Sequence, residues 1–128
     1  MKMLLDTHAL LWMCSSVDRL SDRAKAAILD DRNELLFSVA GWWEIAIKIG
    51  LGKLDLRANW ALTIKREMRH NGIAWLPVRP EHCEQLPSLP FHHRDPFDRL
   101  LIAQAMTERL TVITCDPHFV AYGVTVLW

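Results

Sequence analysis

Five carboxylates draw attention by where they fall. Asp6 ends the apolar run Lys2 to Leu5, Asp116 follows the β-branched run Thr111 to Thr114, Asp98 comes three residues after Asp95 at a helix start, and Glu44 sits in a nearly apolar segment. Taken singly, each has an ordinary role. Asp6 and Asp116 fit turns at strand ends. In Asp95-Pro96-Phe97-Asp98, Asp95 fits a helix N-cap, Pro96 the first helical position and Asp98 the third position of a capping box. Glu44 precedes Lys48 by four residues, a spacing that gives a surface ion pair of about 0.2–0.5 kcal/mol. Val39, Ala40, Trp42, Trp43, Ile45, Ala46, Ile47 and Ile49 weaken that last reading, because they make the segment apolar on nearly every side. Four carboxylates gathered at one point would repel one another and raise their own pKa values unless a cation joined them. A hard ion such as Mg²⁺ removes the penalty, since it takes carboxylate oxygens and keeps several waters. Such a pocket suits phosphodiester hydrolysis: an ion polarises the phosphoryl oxygen and generates hydroxide, and a second can stabilise the leaving oxygen.

The elements that must position these groups alternate. Lys2 to Leu5 reads as a buried strand, and Ser21 caps an Ala-rich helix to Leu29. Leu35 to Phe37 is a second strand, Ser38 caps a helix from Val39 to Ile49, and Gly50 and Gly52 end it. A helix from Trp60 to Arg69 and a strand from Ile73 to Leu76 follow. Phe97 to Arg109 is an apolar-striped helix, Thr111 to Thr114 a strand, and Val124 to Trp128 the last strand. This order predicts an α/β fold: a three-layer α/β/α sandwich around a mainly parallel sheet, with right-handed crossovers. Sites in such sheets form outside the carboxyl ends of the strands, where Asp6 and Asp116 both fall. The helices carrying Glu44 and Asp98 start near the same edge.

The residues also carry a resemblance. Leu4-Leu5-Asp6-Thr7-His8-Ala9-Leu10-Leu11-Trp12, Ser38-Val39-Ala40-Gly41-Trp42-Trp43-Glu44-Ile45, Arg94-Asp95-Pro96-Phe97-Asp98-Arg99-Leu100-Leu101-Ile102-Ala103-Gln104-Ala105 and Val112-Ile113-Thr114-Cys115-Asp116 resemble the successive motifs of VapC-type PIN domains in order, spacing and overall length. The resemblance implies a Rossmann-like sandwich and an Mg²⁺- or Mn²⁺-dependent endoribonuclease, the toxin of a toxin-antitoxin pair. It implies metal-binding acids at Asp6, Glu44, Asp98 and Asp116. Asp95 and Asp98 remain alternatives for the third acid, binding directly or through water, with Asp98 favoured because it lies inside the helix. Thr114 resembles the family's hydroxyl residue ahead of the last acid and would orient a carboxylate or a water. An RNA substrate, a cognate antitoxin and a homodimer are the partners implied.

Composition narrows the class. With 128 residues, 51% hydrophobic and 23% charged, the chain is expected to form one domain over residues 1–128, burying roughly two thirds of its unfolded surface. No segment reads as a signal peptide or membrane span, so the expectation is a soluble, cytoplasmic protein. Cys14, Cys83 and Cys115 form no C-x-x-C pair and are expected to be buried free thiols. Basic and acidic residues balance at 15 each, but gathering Asp6, Glu44, Asp95, Asp98 and Asp116 in one pocket leaves a basic remainder that can attract a polyanion. Arg94, Arg99 and Lys48 are candidates to hold phosphates, His8 to touch substrate or to pack at the start of a helix. His92 and His93, lacking a matching third ligand, are expected to face solvent. Trp42 and Trp43 cannot face the same way on one helix, so one of them is expected at a subunit or partner surface. Three other readings compete, one of them a phosphatase of the aspartyl-nucleophile type, which would want two Asp separated by one residue after the first strand where this chain has Asp6-Thr7-His8. A phosphorelay receiver needs an acid after its third strand, where this chain has Leu76-Pro77. A non-catalytic PIN-fold RNA- or protein-binding module would have no need of the full acid set.

Overall fold

A computed structural model describes residues 1–128. The strands β1 (Lys2–Leu5), β2 (Glu34–Ser38), β3 (Ile73–Leu76), β4 (Thr111–Ile113) and β5 (Val126–Leu127) form one sheet in the order β3-β2-β1-β4-β5. Every neighbouring pair is parallel. The helices are α1 (Thr7–Ser15), α2 (Asp22–Leu29), α3 (Val39–Gly50), α4 (Trp60–His70), α5 (Pro80–Gln85) and α6 (Pro96–Glu108).

Successive strand residues point to opposite faces, and each face has its own core. Met3 and Leu5 of β1 join Leu35, Phe37, Ile73 and Ile113 beneath α1 to α4, with Leu10, Ile45, Ile64 and Met68 from those helices. Leu4, between them in sequence, joins Leu76 and Val112 beneath α6 with Leu101, Ile102 and Ala105. This is the three-layer sandwich anticipated from the element order.

Some elements escaped the sequence. α1 went unread because Thr7 to Ser15 is apolar nearly all round and lacks a clear stripe. α5 has only six residues, anchored by the fully buried His82, whose Nδ1 accepts the Arg79 N–H and whose Nε2 meets Glu108 at 2.9 Å. The last strand is shorter than the Val124 to Trp128 expected.

The chain turns from β1 towards β2 and β3 on one side and returns to β4 on the other, so the switch in strand order lies between β1 and β4. Asp6 N–H donates to Ile113 O at 3.1 Å, stitching the two strand ends together there.

Gly41 is where α3 meets this edge. A Cβ on it would lie 2.7 Å from Phe37 Cζ and 3.1 Å from Thr7 Oγ1. Phe37 is fully buried and has no room to retreat. Gly41→Ala should therefore cost about 1–3 kcal/mol of overpacking, more than the roughly 1 kcal/mol that Ala gains in helix propensity. Urea unfolding checks this: a stabilised or unchanged variant would contradict the packing.

Candidate active site

Asp6 caps α1 and closes the sheet edge at once. Its Oδ1 accepts Ala9 N–H at 2.7 Å, and its Oδ2 accepts the Thr114 hydroxyl. Thr114, buried at the end of β4, also accepts Asp116 N–H at 3.0 Å, so one hydroxyl ties the two strand-end acids together. Burial raises the Asp6 pKa above its ordinary value despite the lowering effect of its bonds to Thr114 and Ala9.

Glu44 is 3% exposed. Its Oε1 accepts the Thr7 hydroxyl and its Oε2 the Lys48 ammonium, each at 2.7 Å. The four-residue pair with Lys48 exists, but around a buried carboxylate. That hydrogen bond holds the Lys48 pKa above normal. Ser38 caps α3 through Ala40 N–H, as expected from its position.

Asp95 fills the cap role expected of it, and Asp98 points elsewhere. Asp95 Oδ1 accepts Phe97 N–H and Asp98 N–H at 2.9 and 3.0 Å, which makes it the N-cap of α6. The reciprocal arm of a capping box is missing, because Asp95 N–H goes to His93 Nδ1 at 3.2 Å. The Asp98 carboxylate turns instead to the site, with Oδ2 2.9 Å from His93 Nε2. Burial pushes the Asp98 pKa up to about 7, and the charges of Asp95 and Glu44 add to the effect.

His93 corrects the expectation that both histidines of the pair face solvent. It is half-buried, and the same Nε2 lies 3.0 Å from Asp116 Oδ2. Since Nδ1 accepts a backbone N–H, the ring proton sits on Nε2 and is shared by Asp98 and Asp116. The position of His93 depends on Tyr122 and Arg99: Tyr122 Oη accepts His93 N–H at 2.8 Å, and Arg99 donates to His93 O. His92 is exposed and packs edge-on against Tyr122. His118 brings Nδ1 to 2.8 Å from Asp116 Oδ1. Burial would raise the Asp116 pKa, but the bonds from His118 N–H, the His118 ring and His93 more than offset it and lower the value.

Sequence reasoning missed His93, His118 and Thr7 as neighbours of the acids. The signals available were faint: Thr7 and His118 stand one and two residues after an acid, and His93 stands two before Asp95. Arg99 is a correction of another kind. It is buried, and its guanidinium donates to Pro90 O, Leu89 O, Leu86 O and Tyr122 Oη, so it braces a loop and is not free to hold phosphate. Arg94 is exposed. Beside the acids runs a groove lined in part by His8, Trp12, Arg19, Lys48 and Lys53. His8, exposed, packs at a tilt against Trp12, with ring centroids 5.7 Å apart. Trp43 is 60% exposed against Phe97, whereas Trp42 packs on Trp60 and Trp75. All three cysteines are free, but Cys83 and Cys115 are exposed, against the expectation of burial.

A family model described as the PIN domain matches residues 3–124. No curated protein matches the sequence. Among solved structures, VapBC2 from Rickettsia felis bound to a DNA fragment from its promoter is similar with a TM-score of 0.76 at 14% identity, covering 100% of this chain and 98% of that one. FitAcB from Neisseria gonorrhoeae gives 0.67 at 19% identity, covering 98% and 96%. A toxin-antitoxin complex from Klebsiella pneumoniae gives 0.61 at 19% identity with the same coverage.

The raised Asp98 pKa has a consequence for stability. Between the ordinary 3.8 and about 7 the folded protein holds a proton on Asp98 that the unfolded chain has released. Stability is therefore fully present below that window and falls as pH rises through it. Chelator-treated wild type should lose more stability between pH ~5 and ~8 than Asp98→Asn, which carries no such group. Urea unfolding at the two pH values checks this, and equal losses would show that Asp98 does not titrate there.

Proposed function

The chain belongs to the PIN-domain family, and from that membership we propose that it is an Mg²⁺- or Mn²⁺-dependent endoribonuclease, the toxin of a VapBC-type toxin-antitoxin system acting in the cytoplasm. The observation that carries this reading is the gathering of Asp6, Glu44, Asp98 and Asp116 at the switch between β1 and β4, with Asp6 and Glu44 almost fully buried. The donor set fits the ion. All four acids offer carboxylate oxygens, and burial, with like charge adding to it, raises Asp6 and Asp98, a cost that a bound cation would offset.

Bound there, the ion would supply Lewis-acid polarisation of a phosphoryl oxygen and an acidified water. Asp6, Glu44, Asp98 and Asp116 would hold it. Thr114 fixes the orientation of Asp6 through its hydroxyl, and Thr7 and Lys48 do the same for Glu44. Asp95 acts on the site through the helix it caps, setting the direction of Asp98. Lys53 and Arg19 in the adjoining groove can take RNA phosphates, with His8 and Trp12 offering ring faces to a base.

The partner reading has its own support. The Klebsiella neighbour is described as a toxin-antitoxin complex, and this fold at 128 residues leaves Trp43 and Val39 of α3 uncovered. A cognate antitoxin and a second copy of the chain are the proposed occupants of this apolar face, and an antitoxin Arg reaching the acids would oppose cation binding. No helix is long and apolar enough to cross a membrane.

Purified protein should cleave RNA with Mg²⁺ or Mn²⁺ and stop with chelator. Asp6→Asn and Asp116→Asn should each lose activity by about 10²-fold or more while staying folded. Asp98→Asn should be equally impaired, but Asp95→Asn milder, since Asn also caps helices well. Full activity in EDTA would sink the metal mechanism, and a dead Asp95 variant beside a working Asp98 variant would reverse the assignment of the third acid.

Trp43→Glu should weaken self-association in light scattering or antitoxin affinity in titration, while Trp42→Phe leaves both near wild type. If a folded Trp43 variant keeps both, the face is not an interface.

A further inference from the structure

Asp116 faces two ways. We propose that His93, Asp116 and His118 form a second cation site at the rim of the carboxylate pocket, sharing Asp116 with it and selective for a transition-metal ion of the Zn²⁺ class. The three ligand atoms all lie within 4.8 Å of one another. His93 Nε2 is 3.0 Å from Asp116 Oδ2, His118 Nδ1 is 2.8 Å from Asp116 Oδ1, and the two imidazole rings are 4.9 Å apart. Tetrahedral Zn²⁺ with ligands at about 2.0–2.1 Å spaces its ligand atoms roughly 3.3 Å apart. The two bonded pairs, which use different oxygens of Asp116, open by about half an ångström to admit it, and the wider separation within the 4.8 Å set must close. Asp98 Oδ2, 2.9 Å from the same His93 nitrogen, can complete the shell, or a water can.

His93 and Asp116 are held from outside the cluster, and Asp116 in turn places His118. Tyr122 and Arg99 fix the His93 backbone, Thr114 bonds Asp116 N–H, and the Asp116 side chain caps the short 3₁₀ helix Pro117–Tyr122 that carries His118. The donor types then decide the ion. Two imidazole nitrogens with one carboxylate suit Zn²⁺, Ni²⁺ or Co²⁺ and disfavour Mg²⁺, the reverse of the all-carboxylate set.

Protons balance without an added base. In the metal-free protein each imidazole donates its N–H to Asp116. Coordination moves the His93 proton from Nε2 to Nδ1 and gives up the 3.2 Å bond from Asp95 N–H, the weaker bond of that loop. His118 is exposed, so the proton moved to its other nitrogen meets water. An ion at the rim engages Asp116, so it competes with any ion that needs Asp116 in the inner pocket.

The test uses the full chain stripped with chelator and titrated with Co²⁺, whose visible absorption reports nitrogen ligation and low coordination number, with Zn²⁺ as competitor in calorimetry. Binding of one equivalent is expected. His118→Gln and His93→Gln should each weaken it by roughly tenfold or more, while Asp6→Asn leaves it within about twofold. Circular dichroism checks that each variant is folded, and the exposed His118 makes its variant the secure one. Unchanged Co²⁺ affinity in folded His118→Gln, or a loss in Asp6→Asn as large as in His118→Gln, would overturn the proposal by placing the ion in the inner acids. The competition clause rests on the nuclease reading, but the binding itself does not. Histidine-dependent Co²⁺ binding by a protein that cleaves no RNA would sink that reading alone, and active nuclease without such binding would sink this one.

Discussion

Asp6, Glu44 and Asp98 are carboxylates drawn out of bulk water, and their nearness to one another concentrates negative charge at one edge of the sheet. Burial and like charge together raise Asp98 to about 7. Most of the polar detail at this edge answers that repulsion. Thr114 and Ala9 N–H take Asp6, Thr7 and Lys48 take Glu44, and a single His93 N–H is divided between Asp98 and Asp116. Lys48 is the one lysine or arginine among these partners, so the acids are oriented mostly by single hydrogen-bond donors that do not cancel their combined field. On the proposed reading, a divalent cation is the group that would answer that field.

The fold delivers the acids through backbone chemistry that serves stability too. Asp6 and Asp116 each cap the helix that follows their strand, so the turn that ends a parallel strand and the orientation of a carboxylate are one decision. Replacing either by Ala would remove a cap worth about 1 kcal/mol as well as a charge. Asn separates the two effects, since it caps nearly as well and carries no charge.

Local pattern made much of this legible. β1 and β4 end at their acids, Ser21 and Ser38 cap where their sequences say, and Asp95 caps α6. What escaped depends on contacts distant in sequence. His93 reaches the acids because Arg99, ten residues from Leu89 and 23 from Tyr122, gathers the intervening loop carbonyls, and no periodicity marks a loop held that way. The same bracing makes Arg99 unlike a surface arginine, although its place beside Asp98 suggested phosphate binding. α1 escaped because a helix apolar on all sides, wedged between sheet and α3, has no polar stripe to betray its period.

A formal charge of zero conceals a strong separation, and the separation constrains how a polyanion can be handled. Arg19, Lys48 and Lys53, with Asp55 among them, line a groove beside Glu44, and Lys48 belongs to both regions through its bond to Glu44. A phosphate held by the groove alone would stop at the acid edge, because each further step brings it nearer to like charge in a medium of low dielectric. Cations in the acid pocket reverse the sign of that last step. On the proposed nuclease reading, the groove would attract a chain from a distance, with strength that falls as salt rises, and a cation among the acids would decide whether a phosphodiester is admitted to them.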